Sequence, residues 1–176
     1  DRVVNIAEIA SLRQLEQDDE GNTWIGATVR LDEFLDSGAM DQFPSVKQVI
    51  QGISSPQLQA QGTVVGELMR RPNCWYFRDG PGLLADKGRR VVEGDNRYHA
   101  ILGNRGPAKF TSASRLAPAL ISLGAHVRIL GPERDSEEYL PLSDLYRTPE
   151  LEDQRENVLQ AGQLATHVVI PPHANR

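Results

Sequence analysis

Short segments that set apolar residues among polar ones, Arg13–Gln17 and Thr23–Thr28, are read as two strand candidates. Between them stands Asp18-Asp19-Glu20-Gly21-Asn22, a polar cluster with one glycine, so the pair is read as a hairpin. Leu31, Phe34 and Leu35 fall at helical spacing and Gly38 stops them. A second helix restarts at Phe43-Pro44-Ser45, with Val46, Val49 and Ile50 on one face and Gly52 at its end.

From Ser54 to Pro107 the pattern weakens, and from Arg70 to Arg97 no period holds. Gly80-Pro81-Gly82 and Lys87-Gly88-Arg89-Arg90 are loop signatures, and residues 70–110 are read as a long loop-rich insertion within a single domain covering 1–176. Regularity returns at Ser114–Leu123, where Leu116, Ala119, Leu120 and Leu123 line one face and Gly124 occupies the position just past the helix end. His126–Leu130 and Glu138–Leu142 alternate like strands around a turn at Gly131–Glu137. Leu142–Tyr146 reads as a helical turn, and Val158-Leu159 and Thr166–Ile170 as two final strands separated by Gly162. A strand pair, helices, a long loop, a helix and then antiparallel strands make an α+β chain with an antiparallel sheet flanked by helices, not a doubly wound one.

Composition narrows the functions. The chain has 176 residues, long enough to fold on a core of its own, with 19 basic and 24 acidic side chains and a net charge of −5. That balance, without a basic stripe, argues against a nucleic-acid partner held through phosphates. No apolar run reaches the length of a membrane span, and the first residues lack the profile of a signal peptide, so the expected location is the cytoplasm. Cys74 is the one cysteine, which excludes an internal disulfide framework and an all-cysteine metal site.

The familiar catalytic constellations are missing. His99, His126, His167 and His173 have no metal-ligand spacing, Gly80 and Gly82 lack the third glycine of a dinucleotide loop, and no nucleophile elbow occurs. Cys74, beside Trp75-Tyr76-Phe77, reads as a small buried hydrophobe. Asp95 and His99 stand four apart and leave open an unrelated acid–base enzyme. Two stretches carry more. Gln59–Leu68 and Gly94–Gly103, the latter followed by Thr111–Ala117, place small and hydroxyl residues ahead of predicted helices. Backbone N–H groups at such starts either hold polar ligand atoms or are simply capped by the chain's own hydroxyls.

In this order the stretches resemble the flavoprotein subunit of the molybdenum hydroxylases, the xanthine dehydrogenase and aldehyde oxidoreductase family. Thr63-Val64-Val65-Gly66-Glu67 matches that family's Thr-x-Gly-Gly-Asn motif, Cys74-Trp75-Tyr76-Phe77 its cysteine and aromatic pair, and Asn96–Gly103 its Asn-Arg-x-His-Ala-Ile-Leu-Gly run. Ala113–Ala117 matches its Pro-Ser-Asp-x-Ala helix start, and Leu142–Tyr146 with Val168–Pro171 fits its ending. The resemblance covers nearly the whole chain. It implies the larger subdomain of an FAD-binding domain, with the preceding glycine-rich subdomain and a C-terminal domain outside this chain. It further implies electron transfer from iron–sulfur and molybdopterin partner subunits to FAD, with Thr63, Val64, Gly66 and Ser114 as cofactor contacts and no catalytic residue in this chain. Three departures bear on FAD. Val65 stands where the motif has a glycine, Glu67 where it has a neutral donor, and Arg115, which could pair with a phosphate or with Glu67, where it has an aspartate. Of the cysteines of the family's iron–sulfur loop only Cys74 is present, so no such cluster is expected here, and Leu83–Val92 reads as a relic of that loop. The residue chemistry leaves two readings open: a flavin-binding domain, or a degenerate scaffold that docks partner subunits without a cofactor.

Overall fold

A computed structural model of the chain describes residues 3–78, 97, 100, 102, 108–133, 135–151 and 154–172. In chain order the elements are strands β1 (Leu15–Gln17) and β2 (Thr23–Gly26), helices α1 (Leu31–Leu35), α2 (Pro44–Gln51), α3 (Pro56–Gln61), α4 (Val64–Leu68), α5 (Trp75–Arg78) and α6 (Leu116–Ser122), then strands β3 (His126–Leu130), β4 (Glu137–Pro141) and β5 (Leu164–Ile170). Contacts divide the chain into two compact units. One comprises Asp1–Met69, Ser114–Ser143 and Gln160–Arg176; the other comprises Arg70–Ala113 and Asp144–Leu159.

The first unit holds one sheet in the order β1-β2-β5-β3-β4, every neighbouring pair antiparallel. The predicted hairpin forms as expected: Gly21 turns at φ 85°, and the Asp18 carboxylate takes the backbone N–H of Asn22 and the indole N–H of Trp24 at 2.8 Å each. β5 is central, and its residues Ala165 to Ile170 are all buried, as a strand covered on both faces must be. Ile25, Val168 and Val127 stand side by side across three strands and are fully buried. The helices pack onto this apolar face, α4 against β2 and β5, and α6 against α4 and α2.

Both predicted helices of the first third form. Leu31 and Phe34 of α1 and Val46 and Ile50 of α2 are buried, Val49 less so. Helix α3 was not legible because it buries none of its own residues; it is held by Pro56 at its start and by the Ser55 hydroxyl, which accepts from the Leu58 N–H. Gly124 adopts φ 68° just past α6, as its position predicts. The opposite face of the sheet is crossed by the segment before β1, a single 3-10 turn at Ala10–Arg13, tied down where Leu12 O accepts from Thr28 N at 2.9 Å and Gln14 O accepts from Gly26 N at 2.9 Å.

The second unit takes in the whole of the predicted insertion, 70–110, runs on to Ala113 and adds 144–159, which nothing in the sequence pattern places there. Ala108 is its buried centre, flanked by Phe77 and Phe110 with ring centroids 5.2 Å apart. Val158-Leu159 is not a strand. Asn157 makes an isolated bridge to Tyr146, and Val158 donates its N–H to Leu145 O, a local clasp too short to propagate a ladder. The Gly80-Pro81-Gly82 and Lys87–Arg90 loop signatures, Leu83–Val92, Asp95 with His99, His173, and the Asn96–Gly103 run apart from Arg97, Ala100 and Leu102 lie outside the described residues.

Candidate functional site

Two helix starts of the first unit, at Thr63 and at Ser114, carry the residues singled out from the sequence. Thr63 is extended, at φ −110° and ψ 157°, because it bridges Arg30 at the margin of the sheet; the chain turns into α4 directly after it. Its hydroxyl accepts the N–H of Gly66 at 3.1 Å, satisfying one donor of the first turn. Gly66 is exposed, and a Cβ there would lie 2.6 Å from the Thr63 hydroxyl oxygen, which would have to turn aside to admit a side chain. Val64 has no exposed surface, and its N–H goes to Val29 O at 3.0 Å. It pins the turn to the sheet. Val65 is buried beside it.

Ser114 is buried, and its hydroxyl accepts the N–H of Ala117 at 3.1 Å. That bond makes Ser114 the functional cap of α6. Glu67, on α4, links the two starts: its Oε1 accepts the backbone N–H of Arg115 at 3.2 Å. The pairing of Glu67 with Arg115 that the side chains suggest is thus made, but through the backbone, while Arg115 itself is exposed. Thr63, Gly66 and Glu67 on α4 and Ser114 and Arg115 at α6 are therefore joined on two helices in contact.

The fit to a flavin differs at the two ends. At α4, the Thr63 hydroxyl uses its oxygen in the cap and keeps a proton to donate, and Gly66 presents backbone with no side chain in the way. At α6, the Glu67 carboxylate already takes the Arg115 N–H, so that donor is not offered to a phosphate.

Sequence reasoning missed a second cluster, on the sheet face opposite the helices. Ser11, Gln14, Glu16, Asp18, Trp24 and Arg128, with Tyr139 and His167, line a cavity of about 390 Å³. Arg128 grips Glu137 with two nitrogens, at 2.8 and 3.2 Å, and the Tyr139 hydroxyl donates to the same carboxylate. These bonds, Arg128's first and then Tyr139's, pull Glu137 down to about 2. His167 Nε2 lies 3.1 Å from Ser11 O and therefore carries the proton, leaving Nδ1 to face the Arg128 guanidinium at 3.4 Å. Burial holds its pKa below the ordinary histidine value. The available signal was the cross-strand row His167, Arg128, Tyr139, visible only once the strand order is known.

The acid dependence of stability follows from these shifts. Glu137 stays ionised in the folded chain below the 4.5 at which the unfolded chain takes the proton, so its contribution is complete above pH 4.5 and is lost as pH falls from 4.5 towards 2. His167 acts in a higher window: below 6.5 the unfolded chain binds a proton that the buried imidazole refuses, so stability declines there too. Calorimetric melting against pH is expected to show Tm falling from pH 6.5 downward. Glu137→Gln should flatten the limb between 4.5 and 2, and His167→Gln the upper one. A Glu137→Gln curve parallel to the parent would contradict the pairing.

In the second unit, Cys74 is half-buried and lines a cavity of about 270 Å³ with Asn73, Ala100, Lys109 and Phe110. Arg71 Nε binds Glu156 Oε1 at 3.0 Å, with its guanidinium 5.1 Å from the Phe77 ring centre.

A family model described as the FAD binding domain in molybdopterin dehydrogenase matches residues 1–173. The chain belongs to this family. The aldehyde oxidoreductase FAD-binding subunit PaoB of Escherichia coli (strain K12) is 30% identical over 166 residues, 92% of this chain and 52% of that subunit. The chain thus spans about half the length of that relative. Among solved structures, CO dehydrogenase from Oligotropha carboxidovorans matches with a TM-score of 0.57 at 16% identity, covering 92% of this chain and 41% of that one. Quinoline 2-oxidoreductase from Pseudomonas putida 86 matches at 0.58 and 17%, covering 96% and 43%. Both bear out the predicted α+β architecture with its antiparallel sheet. Among the described residues, no helix is long and apolar enough to cross a membrane.

Proposed function

We propose that this chain is a flavin-binding domain of a molybdenum hydroxylase-type oxidoreductase, taking FAD and serving electron transfer from iron–sulfur and molybdopterin partner subunits. The observation that carries the reading is the junction of the Thr63 and Ser114 helix starts through Glu67 in a chain of this family. FAD when bound would supply a two-electron acceptor that can also pass electrons singly. The chain's own part is to hold and orient. Thr63 donates its hydroxyl proton, Gly66 offers unobstructed backbone, Val64 fixes that turn to the sheet, and Ser114 keeps α6 in place. One cysteine cannot hold an iron–sulfur cluster, so Cys74 takes no part in the electron path proposed here. Choice of substrate belongs to the molybdenum partner.

A second reading, a scaffold that docks partners without a cofactor, is favoured by the carboxylate of Glu67 at the α6 start. Titration with FAD, after purification without added cofactor, separates the two. The flavin reading expects saturable changes in flavin absorbance and fluorescence. Gly66→Val, which crowds the Thr63 hydroxyl, should weaken that binding at least tenfold with Tm checked alongside. Failure of the whole protein to bind at high micromolar FAD would leave the scaffold reading in its place.

A further inference from the structure

We propose that the cavity on the sheet face opposite the helices binds an organic cation, a guanidinium or alkylammonium group, seated against Trp24 and Tyr139 beside the carboxylate of Glu16. This inference is independent of the flavin reading and concerns a different face of the first unit. Three rings meet in the cavity. Tyr139 and His167 each stand roughly perpendicular to Trp24, at interplanar angles of 88° and 73°, with ring centroids 6.0 Å from it. The indole is fixed by its N–H, which donates to the Asp18 carboxylate at 2.8 Å. Glu16 is the direct cross-strand partner of Trp24 in the β1–β2 ladder, and both line the cavity.

The charges of the cavity do not cancel. Arg128 is neutralised by Glu137 through two nitrogens, and the Tyr139 hydroxyl is turned to the same carboxylate. His167 is neutral at neutral pH, because burial holds its pKa below the ordinary value. Asp18 accepts only from neutral donors, the backbone N–H groups of Glu20 and Asn22, the Asn22 amide and the Trp24 indole. Glu16 is exposed and makes no hydrogen bond or ion pair among the described residues. Two carboxylates therefore border the rings without a cation of the chain's own. An anion is opposed by both, and the guanidinium that could have held it is already engaged. A cation gains the ring faces and the carboxylates together, and desolvated contacts of this kind change an equilibrium by roughly tenfold. The volume of about 390 Å³ is at the small end of ligand pockets and suits a small cation or one long basic side chain.

Methylguanidinium and methylurea share a planar shape and differ in charge, so the pair isolates the cation. Each would be titrated at constant ionic strength while the Trp24 indole N–H is followed in proton–nitrogen spectra, with Trp75 of the second unit as internal reference. The expected result is a saturable shift of Trp24 with methylguanidinium, at an affinity about tenfold above that of methylurea. Glu16→Gln removes a charge that forms no bond in the fold; it should weaken methylguanidinium about threefold and leave methylurea and Tm unchanged. A blocked Gly-Arg-Gly peptide is the third probe. Binding tighter than methylguanidinium assigns the cation to a basic segment of another chain, and binding no tighter assigns it to a free small molecule; both uphold the site. Equal affinities for methylguanidinium and methylurea, a shift that does not saturate, or a Glu16→Gln protein that binds methylguanidinium as the parent does would overturn the proposal.

Discussion

Phe34→Ala is expected to cost about 3–5 kcal/mol, the usual range for emptying a fully buried phenylalanine site. Phe34 has no exposed surface, and its ring lies 6.5 Å from that of Phe43 at an interplanar angle of 48°, so α1 meets the start of α2 across it. Leu31, Met40, Val46 and Ile50 are buried with it and belong to the same short helices and the turn between them. Helices of five and eight residues do not persist on local propensity, so removing the shared ring also loosens the elements that would have to close the cavity. Urea unfolding followed by far-UV circular dichroism would read the loss as a lower midpoint at similar slope. Phe34→Leu, which keeps most of the volume, should cost far less. A cost below about 1 kcal/mol for the alanine variant would contradict the packing described here.

Gly26→Ala is the second large effect, of about 2–4 kcal/mol, and its cause is a collision with backbone. A Cβ on Gly26 would overlap the carbonyl oxygen of Leu12 and lie 2.5 Å from its carbonyl carbon. A side chain could rotate away. This carbonyl cannot, because Leu12 O is fixed by the Thr28 N–H at 2.9 Å and the Thr28 hydroxyl at 2.8 Å. The segment crossing the sheet must therefore lift, breaking the Gly26 to Gln14 bond and drawing Ser11 O away from His167. Hydrogen exchange should show lost protection at Gly26 and Thr28, while the β3–β5 ladder stays protected. Gly38→Ala is the control: nothing lies within 4 Å of the added carbon, and its stability should be unchanged or slightly higher.

The two positions differ in how far the sequence reveals them. Phe34 is part of a helical triplet with Leu31 and Leu35, and period alone marks it as core. Gly26 sits inside a strand pattern and carries no local mark, because what excludes a side chain there comes from fourteen residues earlier in the chain. The candidate site divides in the same way. Thr63 and Ser114 are legible as caps, since a hydroxyl residue ahead of an apolar run satisfies first-turn donors wherever it occurs. That Glu67 would turn its carboxylate to the Arg115 backbone, and not to the guanidinium, depends on α4 lying against α6.

Periodicity, turn residues and caps are local interactions, written within a few residues of one another. They were enough to specify the hairpin, α1, α2, α6, β3, β4, the final strand and the α+β class, and the ordered motifs pointed to the family that the chain belongs to. Strand order is not local. Placing β5 between β2 and β3 closes contacts more than a hundred residues apart, and from that one choice follow the row His167, Arg128, Tyr139 and the depressed pKa of Glu137. The same packing brings Glu67 to the start of α6, where its buried carboxylate accepts the Arg115 N–H, a contact that exists only because α4 lies against α6.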